Sequence, residues 1–159
     1  MEELKALLTN YLLACALASW LVAQILKVFT GIFKLKSFAV SEFLFGTGGM
    51  PSSHTAAVCS VATGCAILYG LGSSQFAISV VLALIVMRDA MGMRRQVGEH
   101  AKALNIIIKE LAEAKNDTEL TIKALGELVG HTPLQVFAGM LVGIAIPFLV
   151  ALIPTFAVL

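Results

Sequence analysis

The run Pro51-Ser52-Ser53-His54 follows the flexible pair Gly48-Gly49 and opens a strongly apolar stretch. Ser52 can cap a helix there, so that first-turn backbone N–H groups point at an anion and the His54 imidazole sits within the same turn. An anion, its donors and a titratable ring would share one spot. Two other polar groups have the same character: Arg94-Arg95 closes one apolar stretch, and Gly130-His131-Thr132-Pro133 opens another. Guanidinium groups, a helix N-terminus and two imidazoles are what a phosphate monoester or diphosphate needs, for binding, for nucleophilic attack and for protonation of the leaving group.

The elements that position these groups belong to a membrane. Of 159 residues, 58% are hydrophobic and 13% charged, whereas a soluble domain carries about a quarter charged residues. The predicted fold is all-α, an integral membrane helical bundle formed by a single domain, 1–159. At about 20 residues per crossing, the apolar stretches 7–26, 55–71, 75–91 and 134–153 give about four transmembrane helices. The second is short and rich in Ala, Val and Gly, which places it inside the bundle more than against lipid. The fourth carries Gly139 and Gly143, a spacing that lets two helices approach closely.

One or two amphipathic surface helices complete the fold. Over the connection 94–129, Val97, Ala101, Leu104, Ile107, Ile108 and Leu111 recur at helical spacing, with Arg95, Glu99, Lys102, Lys109, Glu110 and Glu113 on the other face. Asn116-Asp117-Thr118 breaks this pattern and can start a second short helix. Cys15, Cys59 and Cys65 all fall in apolar stretches, which reads as three small core residues in a reducing context. Met1-Glu2-Glu3 is acidic, and the first apolar stretch is too long for a signal-peptide core, so it is expected to be retained as a helix.

Charge counting orients the bundle. Lys27, Lys34, Lys36, Arg88, Arg94, Arg95, Lys102, Lys109, Lys115 and Lys123 lie in or beside the two long connections, against Lys5 alone on the other side. The positive-inside rule puts those connections in the cytoplasm of a multi-pass cell-membrane protein. The net charge of +1 gives no basis for a nucleic-acid partner. In this topology the Pro51 run, Arg94-Arg95 and His131 all reach the same membrane face.

At these residues the chain resembles the divergent bacterial and plant branch of the type 2 phosphatidic acid phosphatase and vanadium haloperoxidase superfamily. The resemblance rests on Gly48-Gly49-Met50-Pro51-Ser52-Ser53-His54, Asp89-Ala90-Met91-Gly92-Met93-Arg94-Arg95, Leu104-Asn105 and Gly130-His131-Thr132-Pro133. In the broader superfamily the site is formed by a Lys followed by Arg-Pro, a Pro-Ser-Gly-His, and a Ser-Arg followed by His with Asp four residues later. The second motif maps onto Pro51-Ser52-Ser53-His54. The resemblance implies that Ser52, Ser53 and backbone amides hold phosphate and that His54 protonates the leaving group.

The third motif aligns in two ways. Arg94 with His100 keeps the arginine-to-histidine spacing but puts Leu104 where Asp should orient the ring. His131 with Gln135, followed by Gly139 and Gly143, reproduces the tail of the motif after a long insertion. The second alignment is preferred because His131 opens an apolar span. It makes His131 the nucleophile that forms a phosphohistidine, Gln135 the group that orients it, and Arg94 or Arg95 the stabiliser of the transition-state oxygens. Gln can hold a ring in place, but it cannot stabilise imidazolium charge as a carboxylate does. The first motif is absent; Lys34 and Lys36 precede the loop as substitutes. The superfamily core uses about six helices, so either a homodimer completes the fold or the site is open and reduced.

Each residue also has a purely structural reading. Thr132, Pro133 and Gln135 form a capping box, Ser52 a simple cap, and Arg94-Arg95 a topology determinant or headgroup anchor. His100 reads as a surface residue. Asp89 can pair with a neighbouring arginine, bind a cation or tune a histidine. Asn105 can fasten the amphipathic helix to the loops. The chemistry implied is metal-independent and cofactor-free hydrolysis of a phospholipid or polyprenyl phosphate or diphosphate, since the clustered carboxylates that hold Mg²⁺ are missing from the sequence. The alternative is a scaffold or lipid-phosphate binder that kept a degenerate phosphatase fold.

Overall fold

The computed structural model of the chain describes residues 1–32, 49–115 and 131–156. The elements are α1 Glu2–Leu8, α2 Tyr11–Ile32, α3 Ser53–Tyr69, α4 Ser74–Met91, α5 Met93–Lys115 and α6 Pro133–Ala151, followed by a 3₁₀ turn at Pro154–Phe156. The fold is an all-helical membrane bundle: α2, α4 and α6 are long and apolar enough to cross a bilayer, and α3 is a shorter apolar helix. Lys34, Lys36 and residues 116–130 of the connection, including the second surface helix expected there, lie outside the described residues.

Local signals set the helix ends. Asn10 accepts the Leu13 N–H at 3.0 Å, so the first long helix starts at Tyr11 and not Leu7, and α1 is a separate short helix. Ser52 caps α3, Ser73 caps α4 and Thr132 caps α6, each with a side-chain oxygen accepting the N–H three residues on. Between α3 and α4, Gly70 takes φ 80°, a left-handed conformation that only glycine adopts at no steric cost. The chain can therefore reverse within 70–73.

The short helix α3 is the centre of the bundle, packing against α2, α4 and α6. Small residues explain how. A Cβ on Gly143 would stand 2.5 Å from the Ala56 carbonyl oxygen and 2.7 Å from Cys59 Cβ, and one on Gly139 would collide with the Ser52 carbonyl. The Gly139–Gly143 spacing is thus used within the chain, bringing α6 onto α3 in parallel. Helix α2 runs antiparallel to both: Lys27 reaches Ser53, Tyr11 lies beside Gly64, and the Tyr11 hydroxyl donates to the Pro147 carbonyl at 2.8 Å. All three cysteines are buried. Ser19 and Gln24 on α2 are also buried, with Ser19 Oγ and Gln24 Oε1 lacking a partner among the described residues, which keeps the polar groups of this span out of lipid.

Gly143→Ala is expected to lower stability by about 1–3 kcal/mol, the usual cost of overpacking a filled interior. Gly72→Ala, which meets nothing within 4 Å, serves as the neutral comparison. Thermal unfolding in detergent reads both. Equal melting temperatures for the two variants would refute the close α3–α6 contact.

Candidate functional site at the polar end of the bundle

Backbone bonds gather one end of the bundle. The loop before α3 is held from two sides: Thr30 Oγ1 on α2 donates to the Met50 carbonyl at 2.6 Å, and the Ser52 N–H donates to the Gln135 carbonyl on α6 at 2.9 Å. The Met50–Pro51 peptide is cis, and Gly49 has φ 91°. That glycine lets the loop lie against Lys27, whose methylenes would be 3.6–3.7 Å from a Cβ at this position. From the third side, the His131 N–H donates to the Ala90 carbonyl at the end of α4, at 3.0 Å. The Pro51 run, the end of α4 and the start of α6 therefore stand at one end, as the span topology requires.

Ser52 is fully buried. Its Oγ accepts the Thr55 N–H at 3.4 Å and the Thr55 hydroxyl at 3.1 Å, so it fixes the first turn of α3 as its cap. Ser53, also buried, accepts a hydrogen bond from Lys27 Nζ at 3.1 Å. His54 is the exposed member of the run. Lys27 joins the site through geometry that sequence reading passed over, having counted it only as a topology charge. It is the sole charged residue between Lys5 and Lys34, and a lone cation on an apolar helix is costly unless it has a partner or reaches the interface. That cost was the available signal.

His131 is 3% exposed, with Nδ1 3.3 Å from Gln135 Oε1. The same Oε1 accepts the Thr132 N–H at 2.9 Å, while the Gln135 N–H reaches Thr132 Oγ1 at 3.4 Å. Gln135 thus closes a capping box and touches the imidazole at once, so the structural and chemical readings of this residue coexist. When Nδ1 carries the proton and donates it to Oε1, Nε2 is the basic nitrogen.

The other expected residues are distributed more widely. Asp89 is half-buried beside Ala90, at the same end. Arg94 and Arg95 begin α5 directly after α4, but their side chains lie outside the described residues, as does Lys36. His100 is exposed and Asn105 half-buried on α5, which packs on α4 among the described elements.

Chemically, this end can hold an anion. The α3 N-terminus supplies partial positive charge and Lys27 a full charge on a flexible stem, while His54 on α3 and His131 just before α6 bring two imidazoles to the same end.

Comparison with known proteins agrees with this reading of the fold. A family model described as "Divergent PAP2 family" matches residues 8–146. The chain is 40% identical over 153 residues to the uncharacterized membrane protein YuiD of Bacillus subtilis (strain 168), covering 91% of this chain and 96% of that protein. No solved structure matches.

Because Gln135 does two jobs, its variants should separate them. Gln135→Met leaves the Thr132 cap but removes the Thr132 N–H bond of the capping box and the ring contact, and is expected to cost about 1 kcal/mol, the typical net value of a lost hydrogen bond. Gln135→Glu retains an acceptor and should unfold within about 0.5 kcal/mol of the wild type. Detergent melting curves distinguish them. A fully stable Gln135→Met would show that the box holds nothing together.

Proposed function

Since the chain belongs to the divergent PAP2 family, we propose that it binds a phosphorylated amphiphile, a phospholipid or polyprenyl phosphate or diphosphate, at this polar end and hydrolyses it there. The observation that carries the reading is the meeting of Lys27, the capped α3 N-terminus and the Gln135-held His131 at one end of a membrane bundle. Among the described residues, Lys27 reaches the Pro51 run and takes the place of the lysine in this reading. Ser52 supports the phosphate indirectly, by shaping the turn whose amides and Ser53 side chain face it; Arg94 and Arg95 would add charge from the start of α5. The excess of Lys and Arg beside this end supports a cytoplasmic orientation under the positive-inside rule.

In the proposed reaction His131 Nε2 attacks phosphorus, and the bond from phosphorus to the ester oxygen breaks. His54 gives its proton to that departing oxygen. Water then attacks the phosphohistidine and passes a proton to His54, the N–P bond breaks, and inorganic phosphate leaves. Lys27 and the α3 N-terminus counter the charge on the phosphoryl oxygens in each step. Gln135 fixes the ring without neutralising imidazolium, which makes the turnover slow compared with a carboxylate-supported histidine.

A second reading has its own support. His131 is 3% exposed and the Ser52 hydroxyl is occupied as a cap, an arrangement that suits a binder of lipid phosphate that has lost hydrolysis.

Purified protein in detergent, given a panel of lipid phosphates and diphosphates, is expected to release phosphate in a vanadate-sensitive manner. His54→Ala and His131→Ala should each reduce the rate by roughly 10²–10⁴-fold, the usual weight of a general acid–base group. Lys27→Met should raise KM more than it lowers kcat. Release that survives both histidine substitutions would sink the mechanism. Binding without release by the wild type would favour the second reading.

A further inference from the structure

An apolar groove of about 360 Å³ lies beneath the polar end, between α3, α4 and α6. Its α3 wall is the stripe Cys59, Ala62, Thr63 and Ala66, small residues at helical spacing that leave room where larger ones would fill it. The Thr63 hydroxyl donates to the Cys59 carbonyl at 3.0 Å, so this wall makes no polar demand on an occupant. Ala83 and Met87 of α4 face it, with Met140 and Ile144 of α6, and Leu71 and Phe76 lie at the far end.

We infer that this groove holds one hydrocarbon chain of the lipid phosphate whose head group sits at the polar end. The inference rests on the phosphate reading of that end and adds to it a chain-binding site. Three observations select the occupant. First, proximity: the groove ends one turn short of Thr55, Ala90 and Val136, the buried residues that close the bundle under the Ser52 cap and the His131 backbone bond. Second, depth: at 1.5 Å per residue, Cys59 is about 9 Å and Ala66 about 20 Å along α3 from Ser53, which is where the chain of a lipid with its phosphate at the helix N-terminus must run. Third, size: the volume is near the lower end of the roughly 300–1,000 Å³ of small-molecule pockets, which suits one chain and not a whole two-chain lipid. The helices beside it expose Leu82, Ile85 and Leu141, so hydrocarbon is the medium from which the groove fills.

The test uses the full chain in phosphatidylcholine nanodiscs with two lipids carrying the same mid-chain diazirine, a phosphatidic acid and a phosphatidylcholine. The phosphatidic acid is expected to label groove residues such as Met87 and Met140, and unlabelled phosphatidic acid should suppress that labelling. Equal, uncompeted labelling by both lipids would make this a boundary-lipid surface and overturn the inference. Absence of groove labelling, as when a second copy of the chain covers the face, overturns it as well.

A second arm separates chain from head group. Ala66→Phe fills the groove and should weaken binding of dioleoyl phosphatidic acid roughly tenfold or more, the loss expected for about two buried methylenes. Dibutyryl phosphatidic acid, too short to reach, should bind as it does to the wild type. An unchanged long-chain affinity overturns the groove and leaves the phosphate reading standing. Failure of the wild type to bind either lipid removes that reading, and the groove with it. Should Ala66→Phe weaken both lipids alike or fail to fold, the labelling of the unaltered protein decides.

Discussion

Everything at the polar end depends on how closely α6 lies on α3. Gly139 and Gly143 present bare backbone to the Ser52 and Ala56 carbonyls, where even a methyl group has no room. Two contact points a turn apart fix both the spacing and the register of the helix pair. In that register the Gln135 carbonyl meets the Ser52 N–H, so the loop before α3 is bonded to α6 in the same place that Gln135 also holds His131. Lipid supplies no hydrophobic force between helices, and close packing with hydrogen bonds must do the work. A slip of one residue would turn the glycines away and move Gln135 off the loop, so packing and site share one constraint.

The remaining helices are fitted to this pair. Helix α2 closes the opposite side of α3 at both ends, through the Tyr11 hydroxyl on the Pro147 carbonyl and through Lys27 on Ser53. Helix α4 is delivered by the tight turn at Gly70 and finishes where its Ala90 carbonyl can accept the His131 N–H. The backbone of His131 is therefore fixed by α4 and its ring by α6.

Much of this was legible in the sequence, because hydrophobic length and capping residues are local. The four apolar stretches, the caps at Ser52 and Thr132, and the placing of Pro51–His54 and His131 at one face all follow from residue type and chain order. The Gly139–Gly143 spacing showed that a close helix contact exists but not its partner, since the pattern carries no address. Lys27 was missed for a related reason. A lysine ending an apolar helix looks the same whether it marks topology or bonds a neighbouring helix, and only the antiparallel packing of α2 on α3 distinguishes the two. Gln135 was read as either cap or ring holder, whereas one side-chain oxygen with two lone pairs serves both.

The short length of α3 is the last consequence of this arrangement. Its 17 residues span about 26 Å at 1.5 Å each, less than the roughly 30 Å of hydrocarbon that a transmembrane helix must cross. Surrounded by α2, α4 and α6, α3 meets helices and not lipid along most of its length, so neighbours cover the mismatch that a lipid-facing helix would have to relieve by thinning the bilayer. The α3 N-terminus and Lys27, with its long apolar stem, meet at an end of the bundle where neighbouring helices enclose them, and screening by water is weaker there than at an open surface. On the proposed function, a lipid phosphate would meet them without leaving the bilayer, whereas a soluble phosphate would have to give up hydration to reach the same place.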